Sequence, residues 1–154
     1  MRNTFIADVH LGKLARLLRL LGFDTLYRND FTKPELVKIS SDEGRMLLSR
    51  DAGLAKHSAI RYFIVSSEDA MQQLKEVALQ FDLKEHLLPF SRCIACNGVL
   101  QTVSKESVTP LLEENTRKYY TEFWQCSQCK RIYWKGSHYQ RMLKTVEYVK
   151  NIQA

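Results

Sequence analysis

At 154 residues, 45% hydrophobic and 26% charged, the chain has the make-up of one globular domain, or one with a small appendage, and is long enough to bury a real core. No apolar run approaches the roughly 20 residues of a membrane helix, and Arg2 precedes neither a long apolar stretch nor a small-residue cleavage site, so we expect no membrane span, no secretory leader and a cytoplasmic setting. The net charge of +6 sits mostly in residues 90–154 (10 basic, 5 acidic), while residues 1–89 are near balance (13 and 12) and hold all seven Asp; such a split points to a polyanion such as nucleic acid, or merely keeps the chain soluble.

Residues 1–89 alternate strand and helix. "TFIAD" reads as a buried strand. "LGKLARLLRLLG" sets Leu11, Leu14, Ala15, Leu18 and Leu21 at helical spacing, with Lys13, Arg16 and Arg19 off the stripe and Gly22 closing the helix. "DTLYR" is a second strand, with Asp24 as a turn residue. "TKPELVKISSDEG" is a helix capped by Thr32, with Pro34 in its first turn and Gly44 at its end. "RMLLSRD" and "RYFIVSS" are strands three and four, and "SEDAMQQLKEVALQFDL" is a helix capped by Ser66 or Ser67. Repeated β-α units of this length imply an α/β fold, a parallel sheet flanked by helices with right-handed crossovers.

From residue 90 the pattern changes to short alternating runs around Cys pairs, a polar stretch at 104–121, and an amphipathic helix in "SHYQRMLKTVEYVKNIQ" capped by Ser137. We therefore divide the chain into 1–89 and 90–154. All four Cys fall into Cys93-x-x-Cys96 and Cys126-x-x-Cys129, separated by 29 residues. Two such knuckles, with Gly98 and Lys130 suiting the turns, complete a tetrahedral zinc site of ribbon type. Disulfides and a catalytic C-x-x-C are the alternatives, and the expected reducing compartment argues against the first. With four thiolates the coordination is closed, so this Zn²⁺ would be structural.

Carboxylates end the strands. Asp8 terminates the first, Asp30 follows the second, Asp51 follows the third, and Glu68 and Asp69 follow the fourth. In an open parallel sheet those ends share one rim, where ligands bind. Clustered carboxylates repel unless cations neutralise them. Hard oxygen ligands suit Mg²⁺ or Mn²⁺, whose natural chemistry is phosphodiester hydrolysis. Helix capping is the alternative reading, and it weighs most for Asp30 and Asp69.

"FIADVHLGKLARLLRLLGFDT", "GRMLLSRDAGL", "FSRCIACNG" and "EFWQCSQCKRIYWKGSHYQRM", in this order, resemble the Mut-seven C-terminal RNase family over about residues 4–143. These are PIN-like domains with a zinc ribbon near the C-terminus. The resemblance implies a PIN-like nuclease fold, Mg²⁺ or Mn²⁺ as catalytic ion, and RNA as substrate. The family's acidic residues fall on Asp8, Asp30, Asp51 and Asp69; where members commonly have two adjacent Asp, this chain has Glu68-Asp69.

For RNA binding, Lys13 and Arg16 follow Asp8 on the first helix, and Arg50 adjoins Asp51. Arg131, Trp134, Lys135, His138 and Arg141, with Lys130 and Tyr133, interleave charge with rings, a pattern suited to unpaired bases. Each has a plainer reading: a solvated helix face for Lys13 and Arg16, a carboxylate partner for Arg50, ribbon core for Tyr133 or Trp134, a first-turn helix residue for His138. The expectation is a metal-dependent ribonuclease whose ribbon aids RNA binding. The alternatives are a non-catalytic RNA- or ribosome-binding module and, behind it, a protein-interaction adaptor.

Overall fold

The computed structural model describes residues 3–57 and 59–153. Its first half runs β1 (Phe5–Ala7), α1 (Gly12–Leu20), β2 (Thr25–Leu26), α2 (Lys33–Glu43), β3 (Met46–Ser49), β4 (Tyr62–Ile64) and α3 (Ala70–Phe81). The four strands are parallel, in the order β2-β1-β3-β4, with Phe5 opposite both Thr25 and Met46. The period-2 alternation of strand side chains feeds two cores. Phe5, Ala7 and Leu48 face α1 and α3, whereas Ile6 and Leu47 join Leu36, Leu54 and Ile60 on the other face. Each fully buried large side chain contributes roughly 1.5–3 kcal/mol.

Local signals explain the helix ends. Thr32 and Glu35 form a reciprocal capping box at the start of α2, and Gly44 ends that helix at φ 66°, in the left-handed region a glycine enters without strain. The cap of α3 is Asp69 rather than Ser66 or Ser67: its carboxylate accepts the Gln72 amide at 3.0 Å, while Ser66 and Ser67 are held by Glu76. Arg19 also departs from the expected stripe. It is 5% exposed, because i+4 from Ala15 returns it to the inner face.

The second half runs β5 (Leu100–Val103), α4 (Lys105–Val108), α5 (Glu114–Tyr119), β6 (Phe123–Cys126), β7 (Ile132–Tyr133) and α6 (Ser137–Lys150). Strands β5, β6 and β7 form an antiparallel sheet whose small core is Val108, Leu112 and Phe123, with Trp134 packed against it. So the polar stretch at 104–121 carries two short helices. The N-cap of α6 is Gly136, with Ser137 as its first helical residue and no side-chain cap. Met142, Val146, Val149 and Ile152 join the main cluster beneath α1 and α3, so this last helix packs on the parallel-sheet unit rather than on the ribbon. No helix among the described residues is long and apolar enough to cross a membrane.

Candidate functional site

The strand order places a topological switch between β1 and β3. The chain leaves β1 through α1 toward β2 on one side and leaves β3 toward β4 on the other, and in open parallel sheets ligands bind at the carboxyl ends of strands flanking such a switch. Asp8 and Asp51 stand there. Asp8 is 3% exposed; its Oδ1 accepts the Val9 amide at 2.7 Å and its Oδ2 accepts the Ser49 hydroxyl at 2.7 Å. The Ser49 oxygen in turn accepts the Asp51 amide at 2.9 Å, so one hydroxyl ties the two acidic residues together. The Asp51 carboxylate accepts the Gly53 amide at 2.8 Å.

Lys33, the first residue of α2, completes the site. Its ammonium is hydrogen-bonded to Asp8 Oδ2 and lies 3.5 Å from Asp51 Oδ2. Burial pushes the Asp8 carboxyl up, but the Lys33 and Ser49 hydrogen bonds, the Val9 amide and the Lys33 charge outweigh it, leaving Asp8 below its ordinary value. Asp51 is lowered by the Gly53 amide first and by Lys33 after it. Two carboxylate oxygens thus meet at one point that already accepts a cation. That donor set of hard carboxylate oxygens, with Asp51 exposed and Asp8 buried and already hydrogen-bonded, is of the type that suits Mg²⁺ or Mn²⁺.

Asp30 and Asp69 are not brought to this point. Asp30 is exposed and paired with Arg28 at 2.9 Å, and Asp69 caps α3. Glu68 reaches Arg50 at 3.8 Å. Among the described residues, the four cysteines are the sole group of three or more potential metal ligands whose donor atoms converge.

Those sulfurs lie within 4.8 Å of one another, with Cys93–Cys129 at 3.6 Å and Cys96–Cys126 at 3.3 Å. A tetrahedron with Zn–S bonds of about 2.3 Å has edges of roughly 3.8 Å, so the set is already near the size zinc needs. The two knuckles are built alike. Cys93 O accepts the Asn97 amide and Cys126 O the Lys130 amide, with Asn97 at φ 74° and Lys130 at φ 69°. Amides also point at sulfur: Gly98 at Cys96, and Gln128 and Cys129 at Cys126, each at 3.4 Å. Burial raises the Cys126 thiol, yet the Cys129 and Gln128 amides and the neighbouring Cys96 and Cys129 hold it down at about 7. A Cβ on Gly98 would stand 2.6 Å from Cys126 Sγ, so only glycine fits beside the ligand.

The first knuckle is clamped to the parallel sheet. Arg19 Nε donates to Thr25 O at 2.9 Å and Nη1 to Ile94 O and Ala95 O at 3.2 and 3.3 Å. Asn97 accepts the Thr25 amide at 3.0 Å and donates to Asp24 at 2.7 Å; Asp24 also takes Arg45 at 2.9 Å. Asp24 is therefore a structural ion-pair residue and more than a turn. Burial raises its carboxyl, and Arg45 and Asn97 outweigh that, so it too lies below its ordinary value.

The basic candidates divide. A cleft of about 610 Å³ between α1, the first knuckle and the start of α6 is lined by Arg16, Ile94, Ala95, Arg131, Trp134 and His138, among others. Arg16, Arg131, Lys13 and Arg141 are exposed and form no ion pair with any described residue. Lys135 is engaged by Glu122 at 3.7 Å and by the rings of Trp124 and Tyr139. Tyr133 is structural, its hydroxyl 2.9 Å from Cys93 Sγ, and Trp134 packs on the ribbon core with an edge in the cleft.

Sequence reasoning missed Lys33, Ser49, Arg19 and Asn97. A signal existed for Lys33: a cation in the first turn of a helix opposes the macrodipole and needs a local anion to explain it. For Arg19 the i+4 relation to Ala15 was there to read. Ser49 and Asn97 gave none. A family model described as the Mut7-C RNAse domain matches residues 3–146. No curated protein and no solved structure matches this chain.

Proposed function

Since the chain belongs to the Mut7-C RNAse domain family, we propose that it is a PIN-like, metal-dependent ribonuclease hydrolysing RNA phosphodiester bonds at the Asp8–Asp51 pair. The observation that carries this reading is the meeting of two strand-end carboxylates on one cation position, at the switch point of a parallel sheet. Asp8 and Asp51 would hold Mg²⁺ or Mn²⁺, which when bound supplies water activation and charge neutralisation on the phosphate. Ser49 and the Val9 and Gly53 amides fix both carboxylates in place before any ion arrives. Asp30 and Asp69 enter as ligands only by leaving Arg28 and the α3 cap.

RNA would be held by the unpaired Lys13, Arg16, Arg131 and Arg141, with His138 and the Trp134 edge in the cleft offering contacts to unpaired bases. Arg50 and Lys135 contribute after exchanging Glu68 and Glu122 for phosphate. Zinc in the four-cysteine site holds the ribbon, and reduced thiolates fit a cytoplasmic setting. A second reading, a non-catalytic RNA- or ribosome-binding module, is favoured by one observation: Lys33 already neutralises part of the carboxylate charge without a metal.

Asp8→Asn separates the two. Expected is a loss of Mn²⁺-dependent cleavage of a single-stranded RNA oligomer by at least about a hundredfold, with the circular dichroism spectrum and bound zinc unchanged. Cleavage that persists at the parent rate rejects the assignment. A Mn²⁺ titration that finds no site beyond zinc favours the binding module.

A further inference from the structure

We propose that Lys33 is the resident counter-cation of the Asp8–Asp51 pair and exchanges with the divalent ion, so that it sets the metal affinity of the site; this rests on the ribonuclease reading above. Asp8 is almost fully buried, and its Oδ2 accepts both Ser49 and Lys33. Without a cation, the two carboxylates would leave an uncompensated charge at the sheet rim. The Lys33 side chain is 45% exposed, so its stem has room to swing toward solvent, and among the described residues its head is anchored by the two carboxylates alone.

Local electrostatics argue that Lys33 is there for that pair. It is the first residue of α2, where the helix dipole disfavours a cation, and its backbone is fixed by the Thr32–Glu35 capping box and Pro34. Nothing in the helix itself rewards the charge. Two carboxylates with one ammonium carry a net charge of about −1. A divalent ion held by Asp8 and Asp51 would bring the pair to neutrality only with the ammonium gone, since two cations sharing one site repel. The site is thereby preformed when empty of metal, and filling it requires a sufficient free ion concentration.

The test is calorimetric titration of Mn²⁺ into the zinc-loaded full chain, for the parent, Lys33→Met and Lys33→Arg. Expected is binding about tenfold tighter in Lys33→Met (~1.4 kcal/mol) and parent-like binding in Lys33→Arg, which keeps the competing charge. Lys33→Met should also unfold at lower temperature without Mn²⁺ and regain more on adding it than the parent does, a readout independent of catalysis. Asp8→Asn should abolish the binding heat. Equal or weaker Mn²⁺ binding by Lys33→Met overturns the exchange while the metal reading stands. No Mn²⁺ binding by either protein overturns both.

Discussion

Replacing Arg19 by Met tests whether the zinc knuckle and the parallel sheet form one unit. The guanidinium is 5% exposed and donates to three carbonyls, Thr25 O on the sheet side and Ile94 O and Ala95 O inside the first Cys pair. Hydrogen bonds from a charged donor are worth roughly 1.5–3 kcal/mol each, but Met also removes the several kcal/mol needed to desolvate the cation. The balance is a loss of about 2–4 kcal/mol. For a chain of this size that corresponds to a melting point lower by about 5–15 °C. Burial pushes the Arg19 guanidinium below its ordinary value, and the charge of the nearby Cys96 and Cys93 sulfurs opposes that shift in part; by reciprocity its removal should speed zinc transfer to a competing chromogenic chelator. Urea melts followed by circular dichroism, together with the transfer rate, measure both effects. Lys at this position keeps the charge but lacks the planar fork, and should fall in between. A melt within about 0.5 kcal/mol of the parent, within the range of inert surface changes, with unaltered zinc transfer would refute the clamp.

Gly98→Ala should weaken zinc retention, since its Cβ would press on Cys126 Sγ; one zinc per chain in the parent by native mass spectrometry, and faster loss to chelator in the variant, are the expected results. Asp24 gives a pH prediction. Its folded carboxyl titrates below the ordinary value of 3.8, so its stabilising contribution is complete above that value and is lost as pH falls through the lower folded value. Asp24→Asn should therefore be less stable at neutral pH, with a flatter decline of the urea midpoint below about pH 4.

Much of the architecture was legible because its signals are local. Thr32, Pro34 and Gly44 delimit α2 by backbone chemistry alone, and the Cys spacing announces the knuckles before any packing is known. The strand ends drew attention to Asp8 and Asp51, since a carboxylate closing an apolar run is conspicuous, and both lie against the Lys33 ammonium. Asp69 was ambiguous for the same reason: a residue at a strand-to-helix junction reads alike as ligand and as cap, and only the Gln72 amide decides. Lys33, Ser49 and Asn97 act across separations of 25, 41 and 73 residues. No window of sequence contains both partners of such a bond. Composition set the division at residue 89, yet α6, basic like the ribbon, gives its apolar stripe to the other unit.

That placement of α6 reaches into how the polypeptide is made. Residues 142–152 complete the apolar cluster that also holds Leu14 and Leu18, and they are translated after every other member of it. Everything translated before them carries an apolar surface awaiting its lid. A metal joining Cys93 and Cys129 would shorten the tether over which that lid must return and so lower the entropic cost of closure. A zinc ion in the four-cysteine site would thus bear on the maturation of a core that contains none of its ligands.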